Sequence, residues 1–161
     1  MTEQLEVCDD LARLAADHAR FKALTEEHQI ALVEARLHDA RLLFDQLRAE
    51  LDVHMCEEEA SVIPAYEAAR RTVGGVSGGL FRSEHRLIRE LFAAVADRLD
   101  RTDASGRPAA QLIALIEEER RLKHVLEHHA SREEAVLFLA VARYRDRTRE
   151  THQDVPSASD G

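Results

Sequence analysis

The stretch His54-Met55-Cys56-Glu57-Glu58-Glu59-Ala60 returns further along the chain as His129-Ala130-Ser131-Arg132-Glu133-Glu134-Ala135. In each copy a carboxylate follows a histidine by four residues. On an α-helix that separation is one turn, so imidazole and carboxylate leave the same face, as a pair of metal ligands would. A short, mainly apolar run follows each copy, and the chain therefore reads as a duplicated helical unit.

Working outward, each copy lies on a long amphipathic seam. Phe44, Leu47, Leu51, His54, Glu58, Ser61 and Ala65 step by threes and fours in a helix from about Ala40 to Arg71. Leu115, Glu119, Leu122, Leu126, His129, Glu133, Val136 and Ala140 do the same from about Pro108 to Arg145. Pro64, lacking an amide hydrogen, is expected to kink the first of these. Gly74-Gly75-Val76-Ser77-Gly78-Gly79 must be a loop. The helix after it carries Phe81, His85, Ile88, Phe92, Val95 and Leu99, and the loop Asp103-Ala104-Ser105-Gly106-Arg107-Pro108 ends on a proline suited to a first helical turn.

Before the first copy, Phe21 to Leu37 form a further helix with Phe21, Leu24, His28, Ala31 and Ala35 on its seam. No Gly or Pro marks where it turns, and Asp39 as a helix cap places the turn near His38-Asp39. Residues 1–20, with Leu5, Cys8, Leu11, Ala12 and Ala15 in phase, read as a short N-terminal helix or arm. Residues 21–147 are then the bundle, and 148–161, without periodicity, a disordered tail. Short loops force antiparallel neighbours, so the expected fold is an all-α, up-down-up-down four-helix bundle.

Composition agrees. Six Gly, three Pro and 4% aromatics in 161 residues describe one domain of helix formers. A net charge of −9 argues against nucleic acid as a partner. Cys8 and Cys56 make no disulfide framework, the acidic N-terminus is no signal peptide, and no apolar run approaches the ~20 residues of a membrane span. A cytoplasmic location is the expectation.

Polar side chains on buried seams are the informative exceptions, because each costs free energy unless paired or metal-bound. Six stand out: His28, His54, Glu58, His85, His129 and Glu133. Four imidazoles and two carboxylates without a thiolate suit two bridged iron or manganese ions. With the turn at His38-Asp39, His28 and His54 differ by roughly 7 Å in height, close enough to be level. His18, three residues before Phe21, continues the same seam and is the alternative ligand. His124 and His128 fall off their seam and face solvent, and Cys56, about 200° round the helix from His54, reads as a small packed side chain. Glu57, Glu59 and Glu134 are expected mostly in solvent, while Glu84 and Glu119 are the better partners for ligating histidines. Ferritin-like sites place Glu three residues before His, and none of the nine histidines here is so preceded.

The order His28, His54 with Glu58, His85, His129 with Glu133 resembles the hemerythrin-like, or HHE cation-binding, domains over about residues 22–145. It is similar to the bacterial, notably actinobacterial, H-HxxxE-H-HxxxE type, with Glu27-His28 and Glu84-His85 as lead-ins. Myohemerythrin of that family is itself a known up-down-up-down bundle, so the topology agrees with the resemblance without being independent of it. The resemblance implies two non-heme iron ions with carboxylate bridges and an oxo or hydroxo bridge. It further implies reaction with O2, H2O2 or nitric oxide in oxidative or nitrosative stress defence, with catalase- or peroxidase-like turnover if the protein is an enzyme. The alternative is an iron- or oxygen-sensing or storage module without turnover. Oxygen carriers of the family have a second histidine where this chain has Arg89, and an aspartate five residues after the last histidine where Glu133 stands at four. The missing imidazole leaves a position open to water, peroxide or another small ligand.

Overall fold

The computed structural model describes residues 3–73, 75–104 and 108–153. Helix α1 spans Glu3–Val33. α2 (Leu37–Glu57) runs through a π-helical segment, Glu58–Val62, into α3 (Ile63–Val73). α4 is Gly78–Ala104, and α5 (Pro108–Arg132) runs through a second π segment, Glu133–Phe138, into α6 (Leu139–Gln153). Four rods result: α1, residues 37–73, α4 and residues 108–153. α1 packs on α2 and α5, and α4 packs on α2, α3 and α5, giving the up-down-up-down bundle. Among the described residues no helix is long and apolar enough to cross a membrane.

The first rod departs from expectation. Residues 3–20 are no separate arm but the first half of α1, with Leu11 and Leu14 buried in the core. The turn comes at Glu34–Arg36 and not at His38-Asp39. There Ala35 takes a left-handed φ of 57°, its N–H bonds back to the Leu32 carbonyl (3.0 Å), and Arg36 N–H bonds to that of Ala31 (2.8 Å). This is a Schellman closure with alanine in the position glycine usually fills. Asp39 does not cap α2; it sits in the first turn and accepts from Arg36 Nη1 at 2.6 Å. At the other end α6 continues to Gln153, past the expected end of the bundle, and residues 154–161 of the expected tail lie outside the described residues.

Pro64 is the second residue of α3, directly after a π segment whose wider turn accommodates a residue with no amide hydrogen. The other π segment contains no proline. What the two share is their first residue, the glutamate of the His-x-x-x-Glu pair.

The core is in two parts. Phe21, Leu24, Phe44, Leu47, Phe92, Leu115 and Leu122 belong to one apolar cluster. Leu14, Ile63, Tyr66, Phe81, Leu137 and Val141 belong to the other. His54, Glu58, His85, His129 and Glu133, all buried, form a polar layer between them.

Candidate metal centre

Five of the six expected ligands converge, and the sixth place is taken by His18. Two groups of donor atoms each lie within 4.8 Å of one another: His18, His54, Glu58 and Glu133 in one, Glu58, His85, His129 and Glu133 in the other. Both carboxylates belong to both groups. Each group therefore has two imidazoles of its own and shares two carboxylates, a set of donors that could hold a metal ion in each group. The histidines also pair as rings, His18 with His54 at 5.1 Å and His85 with His129 at 4.9 Å between centroids.

His28 is not part of the cluster. Ten residues beyond His18, it lies ~15 Å further along α1. Its Nδ1–H donates to the Ala40 carbonyl (2.7 Å), and Nε2 lies 2.5 Å from Glu119 Oε1. The reason is the turn. With its centre at Ala35, His18 and His54 stand about 17 and 19 residues away along their two helices and differ by only ~3 Å in height, whereas His28 is ~18 Å off. The available sign was the acid before each histidine, Asp17-His18 matching Glu84-His85 as well as Glu27-His28 does.

Every histidine of the cluster is held from behind by a carboxylate. Nδ1–H donates to Glu134 Oε1 from His18 (2.8 Å), to Asp17 Oδ2 from His54 (3.3 Å), to Glu59 Oε1 from His85 (2.8 Å) and to Glu84 Oε2 from His129 (3.0 Å). A carboxylate only accepts, so each ring carries its proton on Nδ1 and is free to turn an Nε2 lone pair inward. Glu84 holds a histidine as expected. Glu59, half-buried, and Glu134, exposed to solvent as expected, also hold a histidine each, whereas Glu119 serves His28. The pattern repeats between halves: Asp17 and Glu84 precede one histidine and support another, while Glu59 and Glu134 reach across to the opposite half. Arg89, at the place of the absent imidazole, turns outward and bonds Glu59 (3.0 Å) and Asp52 (2.9 Å). Arg13 and Arg132 similarly engage Asp17 and Glu84.

The inward atoms are the test of fit. Nε2 of His18, His54 and His129, both oxygens of Glu58 and Oε2 of Glu133 are buried without a hydrogen-bond partner. Some approach one another, His129 Nε2 and Glu133 Oε1 at 2.8 Å and His18 Nε2 and Glu133 Oε2 at 3.2 Å, but the inward face as a whole is a shell of electron-pair donors. Such atoms cost roughly 1–3 kcal/mol each when left unmade. A cation satisfies them together.

Charge points the same way. Burial lowers the His85 pKa, but Glu133, Glu58 and Glu59 outweigh it and push the imidazole up to about 9. His18 is likewise raised, burial being outweighed by Glu133 and Glu134. Glu133, although burial raises it, is held well below the usual carboxylate range by His129, His18 and His85. The layer attracts positive charge, as protons or as metal.

A cavity of about 430 Å³ between α1 and α5 reaches the layer, bordered by His18, His54, His129 and Glu133 but not by His85 or Glu58. One side of the centre is thus accessible. His124 and His128 meet edge to face with centroids 4.3 Å apart on the exposed face of α5, away from the centre as expected, and Cys56 is exposed rather than packed.

No curated protein and no solved structure matches the chain. The family profile described as Hemerythrin HHE cation binding domain matches residues 9–141. That span covers most of the chain and takes in His18 together with the other five clustered donors, and on it the chain belongs to the hemerythrin HHE cation-binding domain family.

Proposed function

We propose that His18, His54, His85, His129, Glu58 and Glu133 hold two non-heme iron ions, and that the protein binds and reacts with a small oxidant, O2, H2O2 or nitric oxide, in oxidative or nitrosative stress defence. The observation that carries this reading is the inward cluster of donor atoms, two imidazoles for each ion and two carboxylates common to both, with three of the four imidazoles and both carboxylates presenting buried atoms that have no hydrogen-bond partner. When bound, the ions supply one-electron redox chemistry and Lewis acidity.

The chain's own residues do the rest. Glu134, Asp17, Glu59 and Glu84 fix the tautomer and direction of the four rings, and three of them, Asp17, Glu59 and Glu84, bring arginines that spread the charge outward. Phe21 and Leu126 on the cavity wall exclude bulk water from the accessible side. Arg89, turned out to Glu59, leaves the oxidant's position uncovered.

Metal analysis with an absorption spectrum comes first, with about two iron ions per chain expected. Stopped-flow mixing of reduced protein with H2O2, O2 and nitric oxide then separates the functions. Repeated consumption of H2O2 identifies a catalase- or peroxidase-like di-iron oxidoreductase. A single stoichiometric colour change per centre assigns sensing or storage instead, and protein from iron-rich medium holding no metal sinks both.

A further inference from the structure

The cavity is larger than a diatomic or peroxide needs. At about 430 Å³ it falls within the range of sites that enclose organic ligands, ~300–1,000 Å³, whereas one water in the liquid occupies only ~30 Å³. Its wall mixes apolar side chains, Phe21, Leu51 and Leu126, with alanines at 15, 19 and 130 where larger residues would fill the space.

The chain has only two lysines, Lys22 and Lys123, against twenty arginines, and both border this cavity. Lys22 is one turn past His18 on α1, and Lys123 is six residues before His129 on the antiparallel α5. They therefore lie on the same side of the centre, ~6 and ~9 Å from those histidines along the bundle. Neither amine makes an ion pair among the described residues. On α4 the residue in the position of Lys22, Arg89, is engaged by Glu59 and Asp52. Glu127 and Glu134 also border the cavity, Glu134 accepting from His18. These acids oppose a doubly charged phosphate more than a singly charged carboxylate.

We propose that the cavity binds an organic carboxylate, its head between Lys22 and Lys123 and its apolar body along Phe21 and Leu126 toward the histidines. The inference deepens the di-metal reading and rests on it only for what the far end of the ligand meets.

Calorimetric titration of the metal-loaded protein with hexanoate, 1-hexanol and acetate tests it. Hexanoate is expected to bind at least tenfold more tightly than either control. K22Q/K123Q should weaken hexanoate at least tenfold with metal content unchanged, and A19L, which fills the cavity, should weaken it with both lysines intact. Equal hexanoate affinity in wild type and K22Q/K123Q, the mark of direct ligation by metal, overturns the proposal. So does metal-loaded wild type that fails to bind hexanoate. Protein from iron-rich medium that holds no metal yet binds hexanoate through its lysines keeps this proposal and sinks the di-metal reading.

Discussion

Two histidines on one helix, the half-buried His18 and the buried His28, look alike in sequence and have different partners. His18 faces carboxylates on both ring nitrogens and has an Nε2 with no aligned hydrogen bond, while His28 is satisfied by the Ala40 carbonyl and Glu119. His18→Ala should therefore lower bound metal by about one ion per chain while the fold survives, read by elemental analysis and circular dichroism. His28→Ala should leave metal content unchanged and cost stability, on the order of 3–5 kcal/mol by denaturant titration, because Glu119 loses its buried partner. The reverse pattern would return His28 to the centre. His54, Glu58, His129 and Glu133 could be read directly because their pairing is one helical turn. His18 could not, because the choice depends on where the neighbouring helix turns back. The rings' supporting acids follow the same rule: Glu59→Gln should weaken metal binding by ~10–100-fold without removing a ligand, measured by competition with a chelator.

At the scale of elements, the turns with Gly and Pro were readable and the one without them was not. Ala35 adopts a left-handed φ of 57° that costs a residue with a Cβ roughly 1–2 kcal/mol, and nothing in Glu34-Ala35-Arg36 announces it. Ala35→Gly should raise stability by about 0.5–1 kcal/mol, the relieved strain being offset in part by glycine's greater freedom when unfolded, with metal content unchanged. Gly78 presents the opposite case. A Cβ there would meet Glu67 Oε1 at 2.6 Å and Ile63 Cγ2 at 2.9 Å, and Gly78 N–H donates to that same carboxylate at the start of α4. Gly78→Ala should lower stability by about 1–3 kcal/mol, the range of an overpacked site, and thermal unfolding of the two variants should shift in opposite directions. The π segments had no sequence signature of their own. Their coincidence with Glu58 and Glu133, one with a proline and one without, ties them to the ligands and away from local propensity.

Across the whole molecule, the polar layer divides what would otherwise be one apolar core, so the two clusters cohere only as well as the layer between them is satisfied. The duplication seen in the letters becomes an approximate two-fold arrangement around that layer, each half lending an acid to the other half's histidine. On the di-metal proposal, removing the cations leaves buried donor atoms that protonated imidazoles offset only partly, and the loss is shared by all four rods. Linkage sets the size: a ligand held at 100–1,000 times its Kd stabilises the folded state by about 3–4 kcal/mol, which for a domain of this length corresponds to on the order of 10 °C in Tm. Chelated protein should therefore unfold at a lower temperature in scanning calorimetry, be cut faster by protease, and recover both properties when iron is restored. His18→Ala should show a smaller response to chelation than wild type, since one group has lost a ligand, whereas His28→Ala should start from a lower Tm and respond in full. Identical melting of chelated and metal-loaded wild type would mean that the layer is satisfied without metal.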